Sequence, residues 1–207
     1  MKIWVIFALG FIAIFFIYSR AGAKIQIPQE AVILAFGDSI TAGFGAKDGE
    51  SYPARLSAML NMRVINAGIS GEDSRGGLLR LPSLLEEINP DIVILCHGGN
   101  DILRRYDPQE TKQNLTKMIN LIQNKNAALI FVGVPSLNGF LVGTNDMYDE
   151  LAKEFNLIYD GSTLSQIVKS PALKSDQVHP NGDGYYLLAE NLAKLFNRHF
   201  KTMNGQI

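Results

Sequence analysis

Five apolar runs of strand length recur along the chain, at residues 31–36, 63–66, 92–96, 128–132 and 157–159. Helical patterns lie among them, at 52–60, 74–88, 108–124, 144–155 and 185–200. This alternation leaves few folds open. Strands joined through helices run parallel, in βαβ units about one sheet. The strands are also apolar throughout rather than alternating, as strands covered on both faces are. The expectation is an α/β protein with a mainly parallel, roughly five-stranded sheet. No repeat, low-complexity tract or interdomain linker interrupts the pattern, and 207 residues suit one domain of ordinary size with a full core.

The first 23 residues stand apart from this body. Met1-Lys2 precedes residues 3–18, which carry no charge and one glycine, and Ser19-Arg20 leads into the small-x-small site Ala21-Gly22-Ala23. A basic start, an apolar stretch and small residues match a secretory signal peptide. The stretch is slightly long for a signal core and slightly short for a spanning helix. Arg20 crowds the cleavage point and weakens the charge asymmetry that sets orientation. Two expectations stay open for residues 1–23: a cleaved signal peptide, or an N-terminal membrane anchor whose residues 3–18 contact the bilayer. Both put the body, 24–207, in the periplasm or otherwise outside the cytoplasmic membrane. A helix of the folded core is disfavoured, because the stretch is apolar on every face.

Charge and motif content remove several function classes. The 19 basic and 20 acidic residues balance, and no basic cluster is denser than Arg104-Arg105, so no nucleic-acid partner is expected. The single cysteine, Cys96, ends an apolar run; it permits no internal disulfide or thiolate metal site and reads as a small buried hydrophobe. There is no phosphate-binding G-x-x-x-x-G-K-[ST] loop. Gly43-Phe44-Gly45 is followed by Asp48 where a dinucleotide fingerprint needs its third glycine, and no G-x-S-x-G elbow is present.

In open parallel sheets, ligands bind beyond the carboxyl ends of the strands. Three polar, glycine-bearing segments fall there: Gly37-Asp38-Ser39, Asn66-Ala67-Gly68-Ile69-Ser70-Gly71 and Gly98-Gly99-Asn100-Asp101. A fourth, Asp176-Gln177-Val178-His179-Pro180, precedes the last helix. A serine hydrolase needs a hydroxyl, a base, an acid that orients the base, and donors for an oxyanion. Among the three histidines, His199 lies between Arg198 and Lys201 and reads as a surface residue, while His97 ends a strand with no acid close in sequence. His179 has Asp176 three residues before it and Pro180 to stiffen the turn. One carboxylate can then hold one ring nitrogen and leave the other facing the site. Taken alone, Asp176 and His179 also fit a helix-capping turn with a chance histidine.

Gly37-Asp38-Ser39-Ile40, Gly71, Gly98-Gly99-Asn100-Asp101 and Asp176-x-x-His179 together resemble the four ordered blocks of the SGNH, or GDSL-type, hydrolases. The likeness runs from about Val32 to Phe200, with Ile40 in place of the usual leucine. Asn66 through Glu72, with Leu78-Leu79-Arg80-Leu81-Pro82, further resembles the bacterial branch that groups acyl-CoA thioesterase, lysophospholipase and arylesterase activities. The resemblance implies a flavodoxin-like three-layer α/β/α sandwich. It also implies Ser39 as nucleophile, His179 as base and Asp176 as its orienting acid. The implied oxyanion hole is the N–H groups of Ser39 and Gly71 with the side-chain amide of Asn100. Gly71 suits that role if a side chain there would block substrate, with Gly68 the next choice. Gly37 is expected to free the turn before Ser39. Asp38 and Asp101 read as structural acids that accept local N–H groups. No cofactor or metal is implied.

The glycine-rich stretch 133–143 contains Leu137, Phe140, Leu141 and Val142, which either line an acyl groove or pack on the sheet edge. The expected substrate is a small-molecule or lipid ester or thioester. An extracytoplasmic location disfavours acyl-CoA, whose pool is cytoplasmic. An envelope carbohydrate O-acetylesterase and a non-catalytic, membrane-tethered binding protein on the same scaffold are the rival readings.

Overall fold

In the computed structural model, which describes residues 24–136 and 143–203, the five apolar runs form one parallel sheet. The strands in chain order are β1 Ile25–Ile27, β2 Val32–Gly37, β3 Arg63–Gly68, β4 Ile92–Cys96, β5 Ala128–Val132, β6 Pro135–Ser136, β7 Gly143–Thr144, β8 Ile158–Asp160 and β9 Phe200–Thr202. The helices are α1 Ser39–Ala42, α2 Tyr52–Leu60, α3 Ser74–Ile88, α4 Gly99–Leu103, α5 Pro108–Asn124, α6 Asp146–Glu154, α7 Thr163–Lys169 and α8 Gly182–His199. The main sheet has the order β3-β2-β4-β5-β8. The chain therefore leaves β2 for β3 on one side and crosses to β4 on the other, a topological switch point at which ligands bind. Gly37 pairs with Gly68 of β3 and with Cys96 of β4, so three strands end level where the polar segments begin.

Successive side chains of each strand point to opposite faces. Ile33, Ala35 and Ile94 pack under Tyr52 and Leu56 of α2 and Leu188, Leu192 and Phe196 of α8. Leu34, Phe36, Val93 and Leu95 pack under Leu81 and Leu85 of α3 and Leu115, Met118 and Ile122 of α5. Both faces are dry, which is why β4 is buried along its whole length and why its sequence does not alternate. This is the three-layer α/β/α sandwich. Side-chain caps fix the helix starts: Asp73 accepts from Gly76 N–H, Asp107 from Gln109 and Asn181 from Gly184.

Several boundaries differ from the sequence expectation for local reasons. The helix expected over 144–155 starts at Asp146, because Gly143–Thr144 pairs with β6 and Asn145 caps the helix. The last helix starts at Gly182, carried past its glycines by the Asn181 cap. It ends at His199, because Phe200 turns into parallel pairing with β1 and is fully buried. His199 is half-buried at that end, the far end of α8 from the Asp176–Pro180 loop. Helices α1, α4 and α7 and strands β1, β6, β7 and β9 were not expected. Cys96 is buried and free. Residues 1–23, expected to be a signal or an anchor, lie outside the described residues, and so do Leu137, Phe140, Leu141 and Val142. Among the described residues no helix is long and apolar enough to cross a membrane.

Candidate active site

Strand β2 delivers Ser39 as the first residue of α1, a single turn whose N-cap is Asp38. The buried Asp38 carboxylate accepts from Ile40 N–H at 3.2 Å. Burial raises its pKa, opposed by the nearby histidines His97 and His179 and by the N–H groups of Ile40 and Gly99. The turn lies tight on the sheet because two glycines leave room. A Cβ on Gly37 would stand 2.1 Å from Cys96 O and 2.2 Å from Thr41 Oγ1. One on Gly68 would stand 2.1 Å from Ala42 N. Gly37 thus serves close approach, and the turn itself is closed by Gly43, left-handed at φ 95°. Gly68 N–H is engaged by Asn66 Oδ1 at 2.9 Å, which removes it as the alternative oxyanion donor.

His179 reaches Ser39 from the other end of the chain. Ser39 Oγ and His179 Nε2 are 3.0 Å apart, and His179 Nδ1 and Asp176 Oδ2 are 2.7 Å apart. The loop folds onto its own acid: Asp176 Oδ1 accepts from the N–H groups of Val178 and His179, each at 2.8 Å. Burial works to raise the Asp176 pKa, but these two N–H groups and the His179 ring outweigh it and hold the carboxyl at about 2. An ionised Asp176 is an acceptor only, so His179 Nδ1 carries the proton and Nε2 offers its lone pair to the Ser39 hydroxyl. Gly45, at φ 90°, lets the loop nest: a Cβ there would stand 2.0 Å from Ser175 Oγ and 2.9 Å from Pro180 O. The ring of Phe44 packs on that of His179 with centroids 4.5 Å apart.

Of the oxyanion donors expected from the sequence, Asn100 lines the same cleft as Ser39. Asn100 sits in α4, beyond β4, and its Nδ2 donates to the Glu72 carbonyl at 2.9 Å while lying 3.5 Å from Asp38 Oδ2. Gly71 follows β3 in left-handed backbone at φ 80°, and its carbonyl accepts from Arg104 Nη2 at 2.8 Å. A Cβ on Gly71 would meet nothing nearer than that Nη2, at 3.8 Å. Glycine is therefore set here by backbone conformation, and not by crowding in the free protein. The N–H groups of Ser39 and Gly71 have no partner among the described residues and remain available to an anion.

His97 does not join the serine. Its ring is fully buried, accepts from Gly98 N–H at 2.9 Å through Nδ1 and lies 3.2 Å from Glu72 Oε2 through Nε2. Asp101 is likewise structural, accepting from Ser74 N–H at 2.8 Å and Ser74 Oγ–H at 2.6 Å, where it pins the start of α3.

A cleft of about 440 Å³, counted to its open mouth, runs from Ser39 and His179. Its apolar walls are Ile40, Ile102, Leu103, Val134, Pro135, Val168 and Val178. Sequence reasoning missed all of these. Ile102-Leu103 directly follow the Asn100 block and Val178 sits between Asp176 and His179, so adjacency was a usable signal for those three. Val168 comes from the unexpected helix α7. Among the described residues, no group of three or more His, Cys, Asp or Glu is gathered as a metal site requires.

Residues 35–187 match the GDSL-like lipase/acylhydrolase family. The chain is 33% identical over 169 residues to the thioesterase 1/protease 1/lysophospholipase L1 of Escherichia coli K12, covering 78% of this chain and 81% of that one. It is 32% identical over 177 residues to an arylesterase of Vibrio mimicus, covering 81% and 88%. The solved structure of the psychrotrophic esterase EstA from Pseudoalteromonas sp., inhibited by monoethylphosphonate, superposes with a TM-score of 0.72 at 25% identity, covering 81% of this chain and 97% of that one. The chain belongs to the GDSL-like lipase/acylhydrolase family and is a serine ester hydrolase.

Proposed function

We propose that the chain cleaves carboxylic esters and thioesters of apolar acyl groups by way of an acyl-enzyme on Ser39. The reading rests on one observation: a serine–histidine–carboxylate relay with contacts of 3.0 and 2.7 Å opens directly into an apolar cleft. His179 takes the Ser39 proton as Oγ attacks the acyl carbon. Asp176 holds the ring and stabilises the imidazolium that forms. The N–H groups of Ser39 and Gly71 and the Asn100 amide receive the negative charge on the acyl oxygen. His179 then returns the proton to the leaving alcohol or thiol, and water repeats the sequence to release the acid.

The names of the E. coli and V. mimicus relatives support a thioesterase, lysophospholipase or arylesterase type of substrate. The apolar walls favour longer acyl groups over acetyl. An extracytoplasmic location, supported by the pattern of residues 1–23, directs the choice toward lipid and exogenous esters rather than acyl-CoA. Hydrolysis of p-nitrophenyl esters from acetate to palmitate tests the reading. The expectation is a rise in kcat/KM from acetate to medium chains, abolished by His179→Ala. Activity on acetylated sugars with none on octanoyl esters would replace it with a carbohydrate O-acetylesterase. No turnover of any ester by folded protein would favour a binding role.

A further inference from the structure

The segment that carries Gly71 is anchored by the residue after it. Glu72 exposes only 10% of its side chain and receives a forked pair from Arg80, Nε to Oε1 at 3.0 Å and Nη2 to Oε2 at 2.6 Å. Arg80 Nη2 also donates to Ala67 O at 3.1 Å, and the guanidinium lies 4.4 Å from the centroid of the Phe36 ring. His97 meets the same carboxylate. Its Nδ1 accepts from Gly98 N–H, so the neutral ring holds its proton on Nε2, which donates to Glu72 Oε2 at 3.2 Å. Gly77 leaves space for the ring, since a Cβ there would fall 2.3 Å from Nε2. Burial tends to raise the Glu72 pKa, but hydrogen bonds from His97 and Arg80 outweigh it and hold the carboxyl at about 2. One carboxylate is thus tied to residues of β2 and β3 and to the residue just beyond β4.

The backbone of Glu72 is tied to a cleft residue: its carbonyl accepts from Asn100 Nδ2 at 2.9 Å, orienting that amide, and the residue before it is Gly71. We propose that Glu72 is the positioning residue of the oxyanion hole, its carboxylate fixing through Arg80 and His97 the backbone that aims both the Gly71 N–H and the Asn100 amide. The inference rests on the proposed roles of Gly71 and Asn100. Glu72 touches no reacting atom and acts through these two donors.

The test is a double-mutant cycle in the full chain, with p-nitrophenyl octanoate as substrate and melting temperature measured alongside. Asn100→Ala is expected to lower kcat by about 10²–10³. Glu72→Gln is expected to lower kcat by about 10–100-fold with KM within about twofold, because misplacement by about 1 Å costs up to about 10² in rate. The double variant should lose less than the product of the two single losses, since Asn100→Ala removes one of the two donors that Glu72 aims. Arg80→Lys keeps the charge but loses the fork, and should lower kcat by a smaller factor at unchanged KM; it carries the same cycle if Glu72→Gln fails to fold. Wild-type kcat in Glu72→Gln, or losses that multiply fully with that of Asn100→Ala, would overturn the proposal. An Asn100→Ala variant of undiminished rate would instead overturn the oxyanion reading on which it rests.

Discussion

Replacing Gly68 by alanine isolates the contact that seats the nucleophile. Gly68 ends β3 with ordinary backbone, so the substitution adds no conformational strain. Its new Cβ would stand 2.1 Å from Ala42 N, 2.6 Å from Thr41 C and 2.7 Å from Ala42 Cα. Ordinary contact starts near 3.4 Å, so α1 and β3 must part by about 1 Å, and every offending atom is backbone with no rotamer to escape into. Overpacking of this kind costs about 1–3 kcal/mol. The displaced turn begins with Ser39, and a shift of about 1 Å at a reacting atom costs about 10² in rate. Gly68→Ala should therefore unfold at lower urea concentration and hydrolyse p-nitrophenyl octanoate with kcat reduced about 100-fold. Gly49→Ala is the matched control: its Cβ meets nothing within 4 Å, and at φ 80° it adds only left-handed strain of about 1–2 kcal/mol. It should lose stability and keep its rate. Wild-type kcat in Gly68→Ala, or equal rate loss in both variants, would refute the claim that this glycine seats the serine.

Asp176→Asn should lower kcat on the order of 10⁴, because an amide at that position no longer fixes the proton on His179 Nδ1; ester kinetics at constant pH check it. The same acid makes a pH prediction. Its carboxyl is held at about 2 in the fold against an ordinary 3.8, so the unfolded chain binds more protons between those values. The stabilisation is complete above the ordinary value and lost as pH falls through about 2, so acid unfolding of Asp176→Asn should be less steep across that window than that of the parent. Leu103→Ala should raise KM for the octanoate about tenfold and leave the acetate unchanged. Leu103 is half-exposed at the cleft, and about two methylenes of lost contact are worth somewhat over 1 kcal/mol.

The central strands were readable because burial on both faces leaves a signal in every residue, as the wholly buried β4 illustrates. Strands β1 and β9 were not. Each is three residues long and is defined only by the other, at the opposite end of the described chain. Helices α1 and α4 span one turn and take their caps from Asp38, Gly43 and Gly98, residues that the sequence presents as motif rather than as helix. The relay residues could be named from the sequence because the ordered blocks around Gly37-Asp38-Ser39 and Asp176-x-x-His179 resemble those of a known family; the short Asp176–His179 loop alone also fitted a helix cap. Their support could not be named. Glu72, Arg80 and His97 come from a loop, a helix and the residue after a strand, at no spacing that marks a shared site, and only the packed fold joins one carboxylate to the other two. The cleft is of the same kind: its walls come one or two residues at a time from α1, α4, the passage from β5 into β6, α7 and the histidine loop. The expected groove residues Leu137, Phe140, Leu141 and Val142 fall in a stretch outside the described residues.

The central claim is that Ser39 attacks the ester, and mass spectrometry of the protein after reaction with a p-nitrophenyl alkylphosphonate tests it most directly. The account predicts one phosphonyl adduct per chain, carried by the peptide that contains Ser39, released p-nitrophenol in equal amount, and no adduct in Ser39→Ala. An adduct on a different residue, or full ester turnover by Ser39→Ala, would contradict it.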